Sequence, residues 1–334
     1  MILIVTPNPA VDVTYRVARQ LVGTTQRVLD VARRPGGKGL NVGRVLDAVG
    51  IPSRAVLPLG AAPGRWIADG LDALGLAHVD IAVTGETRTT VTVVDDVAHP
   101  TMFGEPGPEV TTDEWVAVRD VIGQQLDGDV EFLVVSGSLP HRADPGVVAD
   151  WVAAARMRGV PSLVDCPGGA LLAAADAGAT ICKPNRDELL EATGADDERS
   201  GALQLLDRGA GAVVVSRGAD GLAAHTRTGV TEMRAVPGVS GNPTGAGDAA
   251  TAGLLAALLR GSSDGPTTPT ATTTAPSTPR VDHAALRSAA AFGAAAVLRP
   301  VAGEVDVDAV RRFLADDDGA RSGARPSDPS WSHA

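Results

Sequence analysis

Residues 242–259 read NPTGAGDAATAGLLAALL, and the rest of the chain is best understood from this stretch. Its second half is rich in Ala and Leu at helical spacing and is followed by Arg260 and Gly261, which predicts a helix that ends there. Its first half is a glycine turn at the helix N-terminus, where unpaired N–H groups carry a partial positive charge. Because Gly245 and Gly247 have no Cβ atoms to keep an anion away, the turn can hold a phosphate or a developing oxyanion.

Asp248 lies at the mouth of this turn. A carboxylate in that place can accept the proton of an attacking hydroxyl. The simpler interpretation is a helix N-cap, for which Asp is a preferred residue. A dinucleotide-binding fingerprint fits the loose pattern Gly245-x-Gly247-x-x-Ala250, but no clear strand leads into it and the acidic residue expected about 20 positions later falls in a Thr/Pro tract. The turn therefore leaves two interpretations of Asp248, a base or a cap.

Composition narrows the class of protein. The chain has 334 residues, of which 44% are hydrophobic, so it can bury a large core in one or two domains. Its net charge of −11 argues against nucleic acid or an anionic membrane as a partner. The sequence has no apolar run that could span a bilayer, and Cys166 and Cys182 have neither metal-ligand spacing nor a CxxC context. These features predict a cytoplasmic protein whose anion-binding cations are local.

A second glycine turn opens a helix at residues 35–46, which read PGGKGLNVGRVL. It is not a P-loop, because Lys38 is followed by Gly39 rather than by Ser or Thr. Glycines such as Gly37 expose backbone N–H groups, Lys38 adds a point charge suited to phosphate, and Asn41 on the first helical turn can bond sugar hydroxyls. The alternative is a structural turn that carries a surface lysine.

Two alternating segments predict strands with one exposed face. Residues 11–17 form the first, with residues 27–32 as a pairing partner, and residues 84–95 form the second. Asp12 on the first segment faces either a ligand or solvent. Arg88 on the second is a candidate for binding a substrate phosphate, with a surface arginine as the alternative.

From about residue 110 strands and helices alternate, which predicts an α/β fold with a parallel sheet covered on both faces. Ligands of such sheets bind beyond the carboxyl ends of the strands, and polar motifs fall at those ends: SGS at 136–138, KPNRDE at 183–188 and SRGADG at 216–221. Asn185 and Glu188 lie three apart as a helix begins, so both can face one side and bind Mg²⁺ through oxygen atoms and water. The same spacing fits a capping box, and the two roles can coexist.

Four motifs, in this order, resemble those of the ribokinase-like sugar kinases of the phosphofructokinase-B family: GGKGLNV at 36–42, SGSLP at 136–140, KPNRDEL at 183–189 and GAGD at 245–248. The stretches NPAVD at 8–12 and GETR at 85–88 are similar to the branch of 1-phosphofructokinases and tagatose-6-phosphate kinases. The resemblance implies one three-layer α/β/α domain over residues 1–312 with a mainly parallel sheet and a small β-sheet lid. The lid would come from segments near 11–17, 27–34, 87–95 and 100–104.

The resemblance also implies ATP, Mg²⁺ and a role for each matching residue. The catalytic set is Asp248 as the base, with the N–H groups of Gly245, Ala246, Gly247 and Asp248 as the anion hole around the transferred group. The acceptor set is Asp12, Gly37, Lys38, Asn41, Arg88, Ser138 and Arg27, in which Lys38 and Arg88 hold the phosphate already on the sugar. The nucleotide set is Lys183, Asn185, Ser216, Gly218 and Gly221, and Glu188 with Asn185 organises Mg²⁺ through water. Arg217, where the family often has an apolar residue, has no role in this scheme.

The implied activity is ATP-dependent phosphorylation of a ketohexose monophosphate to the bisphosphate, with fructose 1-phosphate or tagatose 6-phosphate as the acceptor. The alternatives are a kinase for fructose 6-phosphate, a kinase for an unphosphorylated sugar or nucleoside, and a sugar-phosphate sensor without catalysis. A homodimer is expected to form through the lid, whose strands have one apolar face. The Thr/Pro-rich residues 261–280 are expected to be a flexible insertion and the polar residues 316–334 a disordered tail.

Overall fold

The computed structural model describes residues 1–95, 97, 100–263 and 280–322. Its strands are β1 Ile2–Val5, β2 Ala10–Arg16, β3 Asp30–Gly36, β4 Ser53–Leu59, β5 His78–Ala82, β6 Arg88–Val94, β7 Thr101–Gly104, β8 Phe132–Ser136, β9 Ser162–Asp165, β10 Ile181–Cys182, β11 Ala212–Ser216, β12 Leu222–Thr226 and β13 Gly229–Met233. Its helices are α1 Lys38–Ala48, α2 Ala61–Leu74, α3 Thr112–Leu126, α4 Gly146–Met157, α5 Gly169–Asp176, α6 Arg186–Thr193, α7 Glu198–Arg208, α8 Ala246–Ser263, α9 His283–Val297 and α10 Val307–Ser322.

The large sheet has the strand order β13-β12-β11-β10-β9-β8-β1-β4-β5. Neighbouring strands are parallel except at the β11–β12 and β12–β13 pairs, which are antiparallel. In β1, Ile2 and Ile4 belong to the core under α1, α8 and α9, whereas Leu3 and Val5 belong to the core under α3, α4 and α5. Because alternate side chains of one strand enter two different cores, both faces of the sheet are covered. The predicted three-layer α/β fold is confirmed.

A second sheet has the strand order β3-β2-β6-β7. Its β2–β6 pair is parallel and the other two pairs are antiparallel. The β3 strand begins at Asp30 and continues to Gly36, a shift from the expected segment near 27–34, because the Leu29 N–H donates to the Arg16 carbonyl (2.7 Å) and closes the hairpin there. This small sheet places one of its faces opposite the N-terminus of α1.

Two of the last three helices, α8 and α10, differ from expectation at their ends. The α8 helix continues past Arg260 and Gly261 to Ser263, and most of the predicted insertion lies outside the described residues. The α10 helix extends to Ser322, into the segment for which disorder is predicted, and the rest of that segment also lies outside them. Within the part of the chain that the structure describes, no helix has the length and apolar character needed to cross a membrane.

Candidate active site

A cleft of about 490 Å³ lies between the carboxyl edge of the large sheet and the small sheet. Most of the residues selected from the sequence line it: Asp12, Gly37, Lys38, Asn41, Arg88, Ser138, Lys183, Asn185, Glu188, Ser216, Gly245, Gly247 and Asp248. Two groups of charges can be distinguished in this cleft. We call Lys38, Asp165, Lys183, Glu188 and Asp248 the transfer half, and Asp12, Arg34, Arg44 and Arg88 the acceptor half.

The turn before α8 leaves three backbone N–H groups without an acceptor among the described residues, one fewer than the four predicted. The Ala246 N–H donates to the Pro243 carbonyl (3.1 Å), because residues 243–246 close a turn, and Ala246 is not among the cleft residues. The N–H groups of Gly245, Gly247 and Asp248 have no acceptor among the described residues. Gly245 is required here, since its φ is +83° and an added Cβ would lie 2.9 Å from the Ala302 backbone.

Asp248 is the third residue of α8, so it is not the N-cap of that helix. Its carboxylate is only 6% exposed and accepts a hydrogen bond from the Asn41 side-chain amide (2.9 Å). Burial and the nearby Asp165 carboxylate raise the pKa of Asp248 to about 7, against the lowering effects of Asn41, Lys38 and Lys183. A carboxylate with this pKa is matched to proton transfer near neutral pH.

The other charges of the transfer half form a paired network. The Lys38 ammonium lies 3.3 Å from Asp165 and 3.2 Å from Glu188, and the Lys183 ammonium lies 2.8 Å from Asp165. Thr251 donates a further hydrogen bond to Asp165 (3.3 Å). Burial opposes ionisation of Asp165, but Lys183 and Lys38 outweigh it and hold the pKa of that carboxyl below its usual value. Lys38 therefore faces two carboxylates, which differs from the predicted pairing of Lys38 with Arg88.

Asp165 is a site residue that sequence reasoning missed. It is the last residue of β9, at the carboxyl edge where ligands of parallel sheets bind, and this position was the available signal. The glycines that follow it, Gly168 and Gly169, open α5, and no recognised motif includes the aspartate. Its two partners, Lys38 and Lys183, come from α1 and from the segment after β10.

Asn185 and Glu188 form the predicted capping box. The Asn185 side-chain oxygen accepts from the Glu188 N–H (2.8 Å), and the Glu188 carboxylate accepts from the Asn185 N–H (2.9 Å). Across the described ranges, no three acidic, His or Cys side chains converge as a metal site would require. The carboxylates of Glu188 and Asp165 nevertheless line the cleft, and this oxygen-donor set fits Mg²⁺ that keeps most of its water and phosphate ligands.

The acceptor half lies on the small sheet and α1. Asp12 accepts a hydrogen bond from the Thr90 hydroxyl, and burial raises the pKa of Asp12. Arg88 donates to the carbonyls of Asn8 (3.2 Å) and Glu105 (3.0 Å). Arg34 and Arg44 also line the cleft, and neither was selected from the sequence.

Besides Ala246, three of the selected residues lie away from the cleft. Arg27 is exposed in the segment between β2 and β3. Gly218 begins a short 3-10 helix, Gly218–Asp220, and Gly221 follows it, next to Ser216, which does line the cleft. Their assignment to acceptor and nucleotide binding stays a prediction.

Arg217 is explained by ion pairs outside the cleft. Its guanidinium lies 2.6 Å from Glu198 at the start of α7 and 2.8 Å from Glu232 on β13. Glu198 also contacts His225 (2.8 Å) and Arg186 (3.2 Å), and these hydrogen bonds outweigh burial and lower the pKa of Glu198 to about 2. Glu198 therefore bonds two arginines that each follow a selected residue: Arg186 follows Asn185, and Arg217 follows Ser216.

Comparisons with known proteins identify the family and the fold. A family model described as pfkB family carbohydrate kinase matches residues 6–307. Phosphofructokinase-2 from Escherichia coli, solved in complex with fructose-6-phosphate, is 24% identical with a TM-score of 0.78, and the match covers 94% of this chain and 98% of that one. A possible 1-phosphofructokinase from Thermotoga maritima is also 24% identical, with a TM-score of 0.78 over 94% and 97% of the two chains. Arabidopsis thaliana ribokinase complexed with ribose and ATP is 20% identical, with a TM-score of 0.68 over 94% and 98%.

Proposed function

The chain belongs to the pfkB family of carbohydrate kinases and is therefore a phosphotransferase with a hydroxyl acceptor, and we propose that this acceptor is a ketohexose monophosphate. The product would be the corresponding bisphosphate. Fructose 1-phosphate and tagatose 6-phosphate are the two acceptors that we favour.

The observation that carries the proposal is that Asp248 and Arg88 line one cleft. Asp248 is a buried carboxylate at a helix start with free N–H groups, which suits the reacting end of an acceptor. Arg88 is a guanidinium whose hydrogen bonds go to backbone carbonyls alone among the described residues, which suits an anionic end.

In the proposed reaction the Asp248 carboxylate takes the proton of the acceptor hydroxyl as that oxygen bonds the terminal phosphorus of ATP. The bond from this phosphorus to ADP breaks, and the proton later leaves Asp248 for solvent. The N–H groups of Gly245, Gly247 and Asp248 stabilise the charge on the transferred group, since preorganised donors are most effective in a site with little water. Asn41 holds the carboxylate through its side-chain amide and favours its ionised form.

The donor nucleotide would lie along the carboxyl edge of the large sheet, against Lys183, Asn185 and Ser216. Mg²⁺, when bound with the nucleotide, neutralises charge on the phosphates. Glu188 would hold it through water, and Lys38 and Lys183 would keep Asp165 ionised beside it.

The test is an ADP-release assay with Mg-ATP and a panel of fructose 1-phosphate, fructose 6-phosphate, tagatose 6-phosphate, unphosphorylated fructose and a nucleoside. We expect a ketohexose monophosphate to have the highest kcat/KM, with fructose far below it because fructose leaves Arg88 without an anion. A preference for fructose or for a nucleoside would contradict the proposed acceptor. Thermal stabilisation by a sugar phosphate without any ADP release would contradict catalysis.

We also propose that two copies of the chain pair through the small sheet. The face of this sheet away from the cleft carries Val31 and Phe103, which are 46% and 64% exposed, and the strand register places them on the same side as Tyr15, Val91 and Val93. Arg33 shares this face at the β3 edge, and the apolar side chains beside it form a patch of the kind that is typical of an interface. Light scattering should report a dimer that Phe103→Glu dissociates, whereas a monomeric wild-type protein would contradict the pairing.

A further inference from the structure

Arg44 is a charged group without a partner. It lies on α1, three residues after Asn41, and its side chain lines the cleft. No described residue forms a hydrogen bond or an ion pair with it. Burial and the neighbouring Arg34 both lower the pKa of Arg44 and outweigh the carboxylates of Asp12 and Glu304, which raise it, so the folded protein holds this cation at a cost. A half-buried guanidinium that faces a cleft without a counter-ion is typical of an anion-binding site.

Arg34 reaches the same region from the small sheet. Its backbone register pairs it with Asp12, which in turn pairs with Thr90, so these three side chains share the face that lines the cleft. The Arg34 guanidinium forms an ion pair with Glu304, which also pairs with Arg299 (3.2 Å). Glu304 belongs to the segment before α10 that packs behind the glycine turn of α8.

Lys38, the cation that the sequence pattern favoured for the acceptor phosphate, has a different environment. Two carboxylates already neutralise it, and a third, Asp248, is close enough to raise its pKa further. Arg44 has no such partner, and Arg34 has one that belongs to another segment. The uncompensated positive charge of the cleft therefore lies in the acceptor half.

We propose that Arg44 and Arg34, together with Arg88, bind the phosphate already carried by the acceptor. Glu304 forms an ion pair with Arg34 in the absence of substrate, and the acceptor phosphate replaces it. The inference rests on the proposed function, since it supplies the residues that select a phosphorylated acceptor. A phosphate dianion bonds a guanidinium through two parallel N–H groups, which Lys38 cannot do. The phosphate thus supplies the missing counter-ion of Arg44 and exchanges with a carboxylate at Arg34.

The first experiment compares Arg44→Gln, Arg34→Gln and the control Arg33→Gln. Arg33 is the neighbour of Arg34 on β3 but is exposed on the opposite face of the sheet, the face proposed to pair two copies. The control removes the same charge without touching the cleft, and light scattering checks that its oligomeric state is that of the wild-type protein. We expect Arg44→Gln to raise the KM for the best sugar monophosphate about 10- to 100-fold, with most of the loss in KM rather than kcat. Arg34→Gln should act in the same direction, and Arg33→Gln should leave KM within about 2-fold of wild type.

The second experiment uses Glu304→Gln, which the exchange predicts to act in the opposite direction. If Glu304 holds Arg34 for part of the time, the apparent affinity for the phosphate is reduced by that fraction. Freeing Arg34 should therefore lower the KM for the sugar monophosphate about 3- to 10-fold. A KM raised by Glu304→Gln as much as by Arg34→Gln would show that the pair only holds the fold and would overturn the exchange.

The outcomes separate this inference from the proposed function. If the wild-type enzyme phosphorylates a ketohexose monophosphate but Arg44→Gln and Arg33→Gln have equal KM values, the inference is wrong and the proposed function stands. If the wild-type enzyme accepts only unphosphorylated substrates, the proposed acceptor is wrong. Calorimetric titration with inorganic phosphate then tests whether Arg44 forms a phosphate-binding site. Phosphate binding that is lost in Arg44→Gln and kept in Arg33→Gln supports the site, whereas binding that is absent or independent of Arg44 overturns it.

Discussion

The two halves of the cleft manage charge in opposite ways. In the transfer half, Lys38 and Lys183 share the buried Asp165, and Lys38 also contacts Glu188. In the acceptor half, Arg44 has no bonded partner among the described residues and Arg88 donates only to carbonyls. One half is therefore neutralised by the protein, and the other is left for a ligand to neutralise.

This difference teaches which interactions belong to folding and which belong to binding. A buried ion pair contributes to stability only when both partners remain, since an orphaned charge in the interior is costly. An unpaired cation at a cleft costs the apo protein stability and becomes favourable when the ligand arrives. Substitutions in the transfer half should therefore change both catalysis and stability, whereas substitutions in the acceptor half should change substrate affinity.

The largest expected effect is on catalysis by Asp248→Asn. The amide keeps the shape of the side chain but cannot accept the proton of the acceptor hydroxyl, so kcat should fall about 10³-fold or more. Calorimetry should show that both substrates still bind. Near-normal turnover in this variant would remove Asp248 as the base.

The same variant should be more stable than the wild-type protein above neutral pH. The folded-state pKa of Asp248 is raised to about 7, so the ionised carboxylate that forms at higher pH costs the folded protein stability. The advantage of Asp248→Asn should be absent near pH 3, grow as the pH rises from about 4 to about 7, where the unfolded carboxyl is ionised and the folded one is not, and level off at up to about 4 kcal/mol above pH 7. Urea unfolding at pH 5 and pH 8 measures it, and an equal difference at both values would contradict the raised pKa.

The next largest effect is the loss of stability in Lys183→Met. Lys183 and Asp165 are each only 3% exposed, so removing the ammonium leaves the buried carboxylate with Lys38 as its remaining cation. We expect a loss of about 3–5 kcal/mol in the free energy of unfolding. The double variant Lys183→Met/Asp165→Leu should lose less than the single one, and additive losses would mean that the two charges do not act as a pair.

A smaller effect concerns the pH dependence of activity. Because Asp248 must be ionised to act as a base, kcat/KM should fall as the pH drops below about 7. Asn41→Leu removes a hydrogen bond that favours the ionised form, so this acidic limb should move up by roughly one pH unit. The full pH profile of both proteins provides the measurement. A limb near pH 4 in the wild-type protein would contradict the assignment.

The smallest effect is the change in apo stability caused by Arg44→Gln. Removing a partly buried cation that has no partner breaks no ion pair, so the free energy of unfolding without ligand should stay within about 1 kcal/mol of wild type. The stabilisation that a sugar monophosphate gives to the wild-type protein should be much reduced in this variant. If Arg44→Gln instead lowered the free energy of unfolding without ligand by several kcal/mol, Arg44 would contribute to folding as the charges of the transfer half do. The proposed difference between the two halves would then be wrong.

The sequence pattern predicted the elements whose structure is locally encoded. The α6 start follows from the spacing of Asn185 and Glu188, because a capping box needs only the residues of one helical turn. The alternation of strands and helices after residue 110 likewise predicted the covered parallel sheet. The end of α8 was placed too early, because a glycine within a helix is tolerated when the helix packs against a neighbour.

The pattern could not predict which charges meet. Lys38 and Asp165 are 127 positions apart, and Asn41 and Asp248 are 207 apart. Such contacts depend on strand order, which sets which carboxyl ends lie side by side and which no local spacing contains. Arg34 was missed for the same reason. The register that pairs it with Asp12 places its side chain on the cleft face of the small sheet, whereas Arg33 lies on the opposite face.

Linear order alone thus determined the α/β class, the two glycine turns and the position of Asp248 at the head of a helix, because each depends on the chemistry of a few consecutive residues. The assembled fold decided that Lys38 is neutralised, that the pKa of Asp248 is raised to about 7 and that Arg44 has no bonded partner among the residues that the structure describes. The reason is that burial and the distance between charges govern electrostatic energies, and both are properties of the packed chain.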